Sequence, residues 1–279
     1  MAYQALILRD AARAAATVQE FEKLGITSWC ARLIDAIWPQ DTAALSSMAA
    51  ALRAGSYDWL VLTSATTVAV LHELLDGRPL PQSLELAVVG AKTAQSAREL
   101  LGLETDFQPE VQSAAGMAAQ WAPPTGARIC YPHGDLASGT LGDFLAGLPV
   151  QVDEVIAYRT VDAGTPGRPV PGPAAPEHVT RLDPAQIGAK LEELDLVVFS
   201  APSIVRRFVQ LAGGRLPERV HTLAIGQPTA RALEAAGLPV HGTAQDPGPV
   251  GLAQAARGVL GIDQAAQRTA EPRLSKKQD

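Results

Sequence analysis

The sequence predicts an α/β protein made of two similar lobes, each built around a mostly parallel sheet. Three observations support this fold class. Short β-rich runs alternate with Ala- and Leu-rich helical stretches, the pattern repeats once within the chain, and 47% of the 279 residues are apolar. Alternation of this kind is typical of βαβ units around parallel strands. A chain of this length can also bury one large core or two small ones.

The expected strands are short, and each is followed by a helical stretch. Several of these helices end near a glycine, at Gly25, Gly102 and Gly237, a common signal because glycine adopts the left-handed conformation easily. The strands with the clearest pattern are Ala5–Arg9, Trp59–Ser64, Leu86–Gly90, Arg128–Tyr131, Leu196–Ser200 and Thr222–Gly226.

An internal repeat relates the two halves of the chain. Three pairs of segments match: 62–68 (LTSATTV) with 198–204 (VFSAPSI) and 89–94 (VGAKTA) with 225–230 (IGQPTA) at an offset of 136, and 116–118 (GMA) with 251–253 (GLA) at an offset of 135. An offset that is kept across three blocks predicts two copies of one α/β lobe.

The repeat is permuted, so we expect one lobe to be discontinuous. The strand–helix–strand pattern that should follow residue 262 is found instead at the front of the chain. The predicted organisation is a first lobe from 1–30 and 177–262, a second lobe from 41–150, connector strands at 31–40 and 151–161, a Pro/Gly-rich linker at 162–176 and a disordered tail at 263–279. The two crossing segments should pair as a two-stranded connector and act as a hinge.

Composition argues against several classes of protein. No uncharged apolar run reaches ~18 residues, so we expect no membrane segment. Arg9, Asp10 and Arg13 interrupt the N-terminal region, which argues against a secretory signal. The formal charge of -6 argues against nucleic-acid binding, which needs clustered cations. Cys30 and Cys130 fit no CxxC pattern and are expected to be buried, reduced thiols of a cytoplasmic protein.

Small polar residues recur where strands turn into helices. Ser64 and Ser200 occupy matched positions in the two copies, and so do Thr93 and Thr229, each three residues after a glycine. Ligands of open α/β sheets bind beyond the carboxyl ends of the strands, where helix N-termini offer N–H donors to anions. These positions therefore predict an anion-binding edge in each lobe. The alternative is that the hydroxyls only cap their own helices.

The remaining candidates are single residues. Arg9 and His133 end equivalent strands, and each is either an anion contact or a surface cation. Tyr158, inside an expected connector strand, is the best lone proton donor, although a tyrosine in a strand usually only packs. The five histidines show no ligand spacing and no Cys/His cluster exists, so no metal site is expected.

At these residues the chain resembles the uroporphyrinogen-III synthase family. The resemblance runs from Ala5 to Leu260 and rests on the segments DWLVLTS, DLVVFSAPS, AVVGAKTAQSARELLGL, LAIGQPTARALEAAGLPV, YPHGDLASGTL and VDEVIAYRTV. It implies two α/β lobes joined by a two-stranded connector, and a cytosolic step of tetrapyrrole synthesis that needs no metal or organic cofactor. In that step hydroxymethylbilane, a small polycarboxylate tetrapyrrole, loses water and cyclises with inversion of ring D to give uroporphyrinogen III.

The resemblance also implies roles for individual residues. Tyr158 would donate a proton to the departing hydroxyl. The substrate carboxylates would be bound by Ser64, Thr66, Lys92, Thr93, Ser200, Ser203, Gln227, Thr229 and Arg9, alongside neighbouring backbone amides. Two positions depart from the family pattern: Asp10 stands where the family often has proline, and His133 stands where it often has arginine.

A two-lobed, non-catalytic binder or sensor of an anionic metabolite is the alternative function. Only Tyr158 separates an enzyme from a binder in the sequence, and no segment is left that is long enough for a DNA-binding domain. We expect a monomer, with a transient contact to hydroxymethylbilane synthase as its protein partner.

Overall fold

A computed structural model describes residues 3–172 and 174–262, so the predicted tail at 263–279 lies outside the described residues. The described chain forms two compact units. The first unit contains residues 3–34 together with 174–262, and the second unit contains Asp35–Gly172. The N-terminal segment therefore belongs to the same unit as the C-terminal part of the chain.

Strands and helices alternate through most of the described chain. The strands are β1 (Tyr3–Leu8), β2 (Ile26–Cys30), β3 (Ile34–Ile37), β4 (Trp59–Leu62), β5 (Glu85–Val88), β6 (Arg128–Gly134), β7 (Gln151–Asp162), β8 (Thr180–Arg181), β9 (Leu196–Phe199), β10 (His221–Ala224) and β11 (Gly242–Thr243). The α-helices are α1 (Ala11–Glu22), α2 (Ala43–Arg53), α3 (Ala65–Leu75), α4 (Ala91–Leu101), α5 (Ala114–Gln120), α6 (Gly139–Ala146), α7 (Ile187–Lys190), α8 (Pro202–Ala212), α9 (Gln227–Ala235) and α10 (Pro249–Val259), and short 3-10 turns at Pro184–Gln186 and Leu191–Glu193 flank α7.

All six predicted strands are present, with ends that differ from the prediction by no more than three residues. The glycine signals also hold: α4 ends at Gly102, which adopts a left-handed conformation with φ 67°, and Gly25 and Gly237 have positive φ just after α1 and α9. No helix of the described residues combines the length and apolar composition needed to span a bilayer.

The first unit is a parallel sheet covered on both faces. Its strands run in the order β11-β10-β9-β1-β2-β8, with parallel pairing throughout. Side chains alternate across β1, so Ala5 and Ile7 join the core beneath α1 and α10, whereas Leu6 and Leu8 join the core beneath α7, α8 and α9. The buried strands are almost continuously apolar, as expected for a sheet with helices on both faces.

The second unit is a five-stranded sheet with the order β3-β7-β6-β4-β5. The pairs β4–β5, β4–β6 and β6–β7 are parallel. On one face Leu60 and Leu62 pack with residues of α2, α3 and α4, and on the other face Val61 packs with residues of α5 and α6. Each unit therefore has the same layered arrangement, a sheet with helices packed on both of its faces.

The two expected connector strands lie in the sheet of the second unit, where β3 is the neighbour of β7. The Pro/Gly-rich segment that follows β7 contains no helix or strand in its described part, but residues 168–170 lie along β3. The N–H of Trp38 donates to the carbonyl of Arg168 at 2.8 Å, and the Arg168 guanidinium stacks 4.3 Å from the Trp38 ring. Whether these strands also act as a hinge stays a prediction.

Candidate functional site

Ser64 follows β4 and begins α3 in the second unit. Its hydroxyl accepts the backbone N–H of Thr67 at 3.1 Å and lies 3.0 Å from the Thr67 hydroxyl, so Ser64 is the N-cap of the helix. Because β4 lies between β5 and β6 in a parallel sheet, the carboxyl ends of all three strands meet at one edge. Ser64 therefore lies at the edge where a ligand of this fold is expected.

Tyr158 reaches the same edge from β7. Its hydroxyl lies 3.3 Å from the Ser64 hydroxyl, and either oxygen can be the donor. The residue is half-buried, with its ring packed beside the small cluster formed by Trp38, Leu45 and Val70. The structure thus brings the sequence-predicted proton donor and a sequence-predicted binding residue into contact.

The N-terminus of α4 lies beside the helix that Ser64 caps, at the end of β5. Gly90 is the N-cap, and Thr93, in the first turn, is only 6% exposed. One of the free amides expected there is already occupied, because the N–H of Ala91 donates to the side-chain oxygen of Gln112 at 3.1 Å. Among the other predicted binding residues of this unit, Thr66 is half-buried and Lys92 is exposed.

The first unit brings its own candidates to one edge, at the ends of β1, β9 and β10. Ser200 follows β9, and its hydroxyl donates to the carbonyl of Leu8 at 2.7 Å, which ties the ends of two adjacent strands together. Arg9 directly follows the last residue of β1 and is half-buried. Burial and the nearby charge of Arg13 lower the pKa of the Arg9 guanidinium, and the charge of Asp10 acts in the opposite direction.

The helix after β10 repeats the arrangement of α4. Gly226 is the N-cap of α9 and supplies no side chain, and Thr229 is 2% exposed in the first turn. The backbone N–H groups of Thr93 and Thr229 both donate to the glycine carbonyl three residues earlier, at 2.9 and 3.0 Å. Ser203 is half-buried and Gln227 is exposed. The matched positions found in the sequence are therefore matched in structure.

The sequence left open that the matched serines cap their own helices, and one of the two does. Ser64 caps α3, whereas α8 begins one position later, with Ala201 as its N-cap and Pro202 as its first residue. Proline suits the first helical position because no intrahelical partner is lost there. The shift leaves Ser200 outside the helix and free to bond Leu8.

The two positions that depart from the family pattern have partners of their own. Asp10 is the N-cap of α1, and its carboxylate accepts the backbone N–H groups of Ala12 and Arg13 at 3.0 and 3.4 Å. The His133 Nε2 lies 2.8 Å from the carboxylate of Glu154 on β7. Since that carboxylate takes the place of an external anion, His133 is less suited than Arg9 to contact one.

The described residues contain no group of three His, Cys, Asp or Glu side chains that could hold a metal ion. Both cysteines are free and buried, one in each unit, as the sequence predicts. The sequence-predicted residues at the two strand edges thus offer hydroxyls, the phenol of Tyr158 and the cations of Arg9 and Lys92, beside the backbone amides of the helix starts.

A comparison with known proteins identifies the family. The family model for uroporphyrinogen-III synthase HemD matches residues 15–254, which is most of the chain. The chain belongs to the uroporphyrinogen-III synthase family. The family predicted from the sequence is therefore confirmed, and with it a lyase-type enzyme of tetrapyrrole biosynthesis rather than a binder or sensor.

Individual relatives agree with this assignment. The chain is 25% identical over 241 residues to the chloroplastic uroporphyrinogen-III synthase of rice (Oryza sativa subsp. japonica), a match that covers 84% of this chain and 72% of the relative. A mutant uroporphyrinogen III synthase of the extremely thermophilic bacterium Thermus thermophilus has a similar fold, with a TM-score of 0.61, 20% identity and coverage of 94% and 100% of the two chains. The uroporphyrinogen-III synthetase of Helicobacter pylori has a TM-score of 0.53, 13% identity and the same coverage. These two structures confirm the predicted α/β fold.

Sequence reasoning missed two residues at the edge of the second unit. Gln112 caps the N-terminus of α4 from a distant loop, and Gly134 lies directly under the ring of Tyr158. Gly134 had a signal, because it belongs to the segment YPHGDLASGTL that carries the resemblance. Gln112 had none, because its contact joins residues 21 positions apart in an irregular segment.

Proposed function

We propose that this chain catalyses the dehydrating cyclisation of hydroxymethylbilane with inversion of ring D, giving uroporphyrinogen III, and that Tyr158 is its proton donor. Membership of the uroporphyrinogen-III synthase family supports the reaction. The observation that carries the role of Tyr158 is the 3.3 Å contact between its hydroxyl and that of Ser64, at the edge where parallel strands end and helices begin.

The reaction begins with loss of the terminal hydroxyl of the substrate. Tyr158 donates its phenolic proton to that oxygen, the carbon–oxygen bond breaks, and water and a protonated azafulvene are formed. The methylene carbon of this cation then bonds to the substituted carbon of ring D to give a spiro-pyrrolenine. The bond from that ring-D carbon to its original methylene bridge breaks, and the bridge carbon bonds instead to the unsubstituted carbon of ring D. The proton lost from this carbon balances the one given by Tyr158, so no net acid or base is consumed.

Ser64 is suited to support the phenol during this step. If the Ser64 hydroxyl donates to the Tyr158 oxygen, the phenolic proton stays free to point at the leaving hydroxyl. The same hydrogen bond stabilises the phenolate that remains, because bonds to charged acceptors are about twice as strong as neutral ones. The backbone N–H of Thr67, which donates to Ser64, holds the serine in place for this role.

The carboxylates of the substrate would bind at the strand edge of each unit. In the second unit the proposed contacts are Ser64, Thr66, Lys92 and Thr93, and in the first unit they are Arg9, Ser200, Ser203, Gln227 and Thr229. Ser200 would have to turn its proton away from the Leu8 carbonyl to donate to a carboxylate. The first turn of α9 offers a simpler contact, because its N-cap residue, Gly226, contributes no competing side chain.

A net charge of -6 does not prevent a polycarboxylate from binding. Charges on the protein surface are screened beyond about 8 Å at physiological salt, whereas helix amides and hydroxyls act at contact distance. Half-buried Arg9 and exposed Lys92 add a local cation at each edge. Binding should therefore depend on these local donors more than on the overall field.

We also propose that the protein is a cytoplasmic monomer. It would transiently contact the hydroxymethylbilane synthase that makes its substrate. Sedimentation with and without that enzyme tests the assembly state. Cell fractionation tests the location, because the rice relative is chloroplastic.

The deciding experiment is a coupled assay in which hydroxymethylbilane is made in situ and the oxidised products are resolved as isomers I and III. The wild-type chain should shift the product to isomer III, and Tyr158→Phe should lower kcat by at least tenfold with little change in KM. Tyr3→Phe is the matched control, because it removes a phenol that donates to the Leu260 carbonyl in the first unit. Isomer I alone from the wild type would overturn the proposed reaction, and full activity of Tyr158→Phe would remove Tyr158 from it.

A further inference from the structure

The pairing of β6 with β7 changes register next to Tyr158. From Arg128↔Gln151 to His133↔Ile156 the two strands pair residue for residue, but Gly134 then pairs with Tyr158 and skips Ala157. Ala157 is thus an extra residue on β7, which makes a β-bulge. Bulges bend a strand locally and are often found where a side chain must be turned towards a site.

The bulge changes the direction of the Tyr158 side chain. In a regular strand, neighbouring side chains point to opposite faces of the sheet. Here Ala157, which is fully buried, and Tyr158 both pack with the cluster of Trp38, Leu45 and Val70. The irregular register therefore puts Tyr158 on the side of the sheet where α3 begins with Ser64.

Gly134 makes room for the ring. A Cβ atom at residue 134 would lie 2.5 Å from Cζ, 2.7 Å from the hydroxyl oxygen and 2.8 Å from one Cε of Tyr158. These distances are too short for any side chain at residue 134 unless the ring moves. The φ of Gly134 is not positive, so the position requires glycine for space and not for its backbone conformation.

Asp135 holds the strand beyond the bulge. Its backbone N–H donates to the carbonyl of Tyr158 at 3.0 Å, and its carboxylate accepts the backbone N–H of Thr160 at 2.8 Å. Asp135, which directly follows β6, thus forms one hydrogen bond on each side of Arg159, to Tyr158 and to Thr160. This connection limits the movement of Tyr158 relative to Ser64.

We propose that Gly134 and Asp135 are positioning residues, which hold the Tyr158 hydroxyl at Ser64 through the β-bulge at Ala157; the inference rests on the proposed function of Tyr158. Gly134 acts by leaving space under the ring, and Asp135 acts by fixing the β7 backbone. Neither residue needs to contact the substrate to affect the reaction.

Gly134→Ala tests the first part of the proposal. It should lower kcat at least tenfold and leave KM within about twofold, since the binding residues on α4 and α9 are untouched. The chain has four tyrosines, so tyrosine labelled with 13C at Cζ gives four NMR signals, and only the Tyr158 signal should move. Gly172→Ala is the control, because a Cβ atom added at residue 172 would have no atom of the described residues within 4 Å and should change neither readout.

A stability cycle keeps the test valid even if Gly134→Ala folds poorly. Gly134→Ala should lower the melting temperature of the wild type but not of a Tyr158→Ala chain, from which the clashing ring is gone. Equal losses in both backgrounds would overturn the proposed contact. An unmoved Tyr158 signal with wild-type kcat in Gly134→Ala would overturn it as well.

Asp135 offers a conservative pair of variants. Asp135→Asn keeps a carbonyl oxygen for the Thr160 N–H and should retain most of kcat, whereas Asp135→Ala should lose at least tenfold. Equal activity of the two variants would contradict the positioning role. Failure of the proposed function would look different, because the wild type would then give isomer I only while the tyrosine signals and the stability cycle still reported on Gly134.

Discussion

The Ser64 hydroxyl oxygen lies 3.3 Å from the phenolic oxygen of Tyr158, although the two residues are 94 positions apart in the chain. Ser64 serves two structural purposes at once, because the same oxygen caps α3 by accepting the N–H of Thr67. Removing the Ser64 hydroxyl would therefore affect both the stability of α3 and the contact with Tyr158. Separating the two effects requires a second serine that caps a helix without contacting Tyr158.

Ser113 provides that comparison. It caps α5 in the same unit, and its hydroxyl accepts the N–H of Gly116 at 3.0 Å, almost the distance found at Ser64. Ser64→Ala and Ser113→Ala should each lower the free energy of unfolding by about 1 kcal/mol through loss of a cap. Only Ser64→Ala should also lower kcat for isomer III. Equal kinetics of the two variants, measured beside their denaturation curves, would limit Ser64 to capping.

The buried threonines Thr93 and Thr229 lead to a prediction about binding. Replacing each by valine keeps its shape and removes only the hydroxyl, so the Kd for the polycarboxylate product should rise about tenfold per site, the worth of one hydrogen bond to a charged group. Anaerobic calorimetry measures that Kd directly. Thr17→Val, at a threonine equally buried on α1, is the control and should bind the product as the wild type does. Unchanged affinity in the Thr93 and Thr229 variants would make their hydroxyls structural only.

His241 should make the first unit sensitive to acid. Its Nδ1 accepts the backbone N–H of Thr222 at 3.0 Å, which requires a neutral ring, and burial together with the nearby ring of His221 lowers the pKa of His241. Between the ordinary histidine pKa of about 6.5 and the lower pKa of His241 in the fold, the unfolded chain binds more protons than the folded chain. The stability contributed by His241 is therefore present above about pH 6.5 and is lost as the pH falls through this range.

Melting curves between about pH 7.5 and about pH 5.5, on either side of the ordinary histidine pKa, measure this effect. The wild type should lose stability over that range, and His241→Asn, which keeps an acceptor but does not titrate, should lose less. His178→Asn, at an exposed histidine of the same unit, should follow the wild type. A decline in His241→Asn as steep as that of the wild type would assign the acid sensitivity to other groups.

We predict that the two cysteines react slowly with a disulfide reagent in the folded protein. Burial raises the pKa of Cys30 to about 12 and raises that of Cys130 as well, and only the thiolate reacts. At about pH 8 a disulfide reagent should therefore label the native chain far more slowly than the chain in denaturant, where both of its cysteines react. Variants with Cys30→Ala or Cys130→Ala report on one unit each. Immediate labelling in native buffer would contradict the burial of these thiols.

Much of the fold is visible in the sequence because it depends on local patterns. Apolar strands followed by helical stretches predict both sheets, and the repeat at an offset of 136 places Thr93 and Thr229 at equivalent helix starts, where the structure has them. The contact of Tyr158 with Ser64 was not visible, because it depends on a change of register at Ala157. A single inserted residue in a strand leaves the apolar pattern of the sequence almost unchanged.

Small local differences also limited the prediction of the site. Ser64 and Ser200 occupy matched positions, yet only Ser64 caps its helix, because Pro202 moves the start of α8 by one residue. Asp10 departs from the family pattern, but its carboxylate binds the first amides of α1. The sequence shows which residue types stand at a strand end, whereas their hydrogen-bond partners depend on backbone geometry a few residues away.

The central position of β1 has a consequence for how the chain is assembled on the ribosome. β1 lies between β2 and β9, and β9 begins at Leu196. At a synthesis rate of about 5–20 residues per second, one side of the first strand waits roughly 10–40 s for its neighbour. All of the second unit is made during that interval from one continuous stretch, Asp35–Gly172. We therefore expect the second unit to fold before the first, because β1 can have both of its neighbours only after the β9 segment that begins at Leu196 has been made.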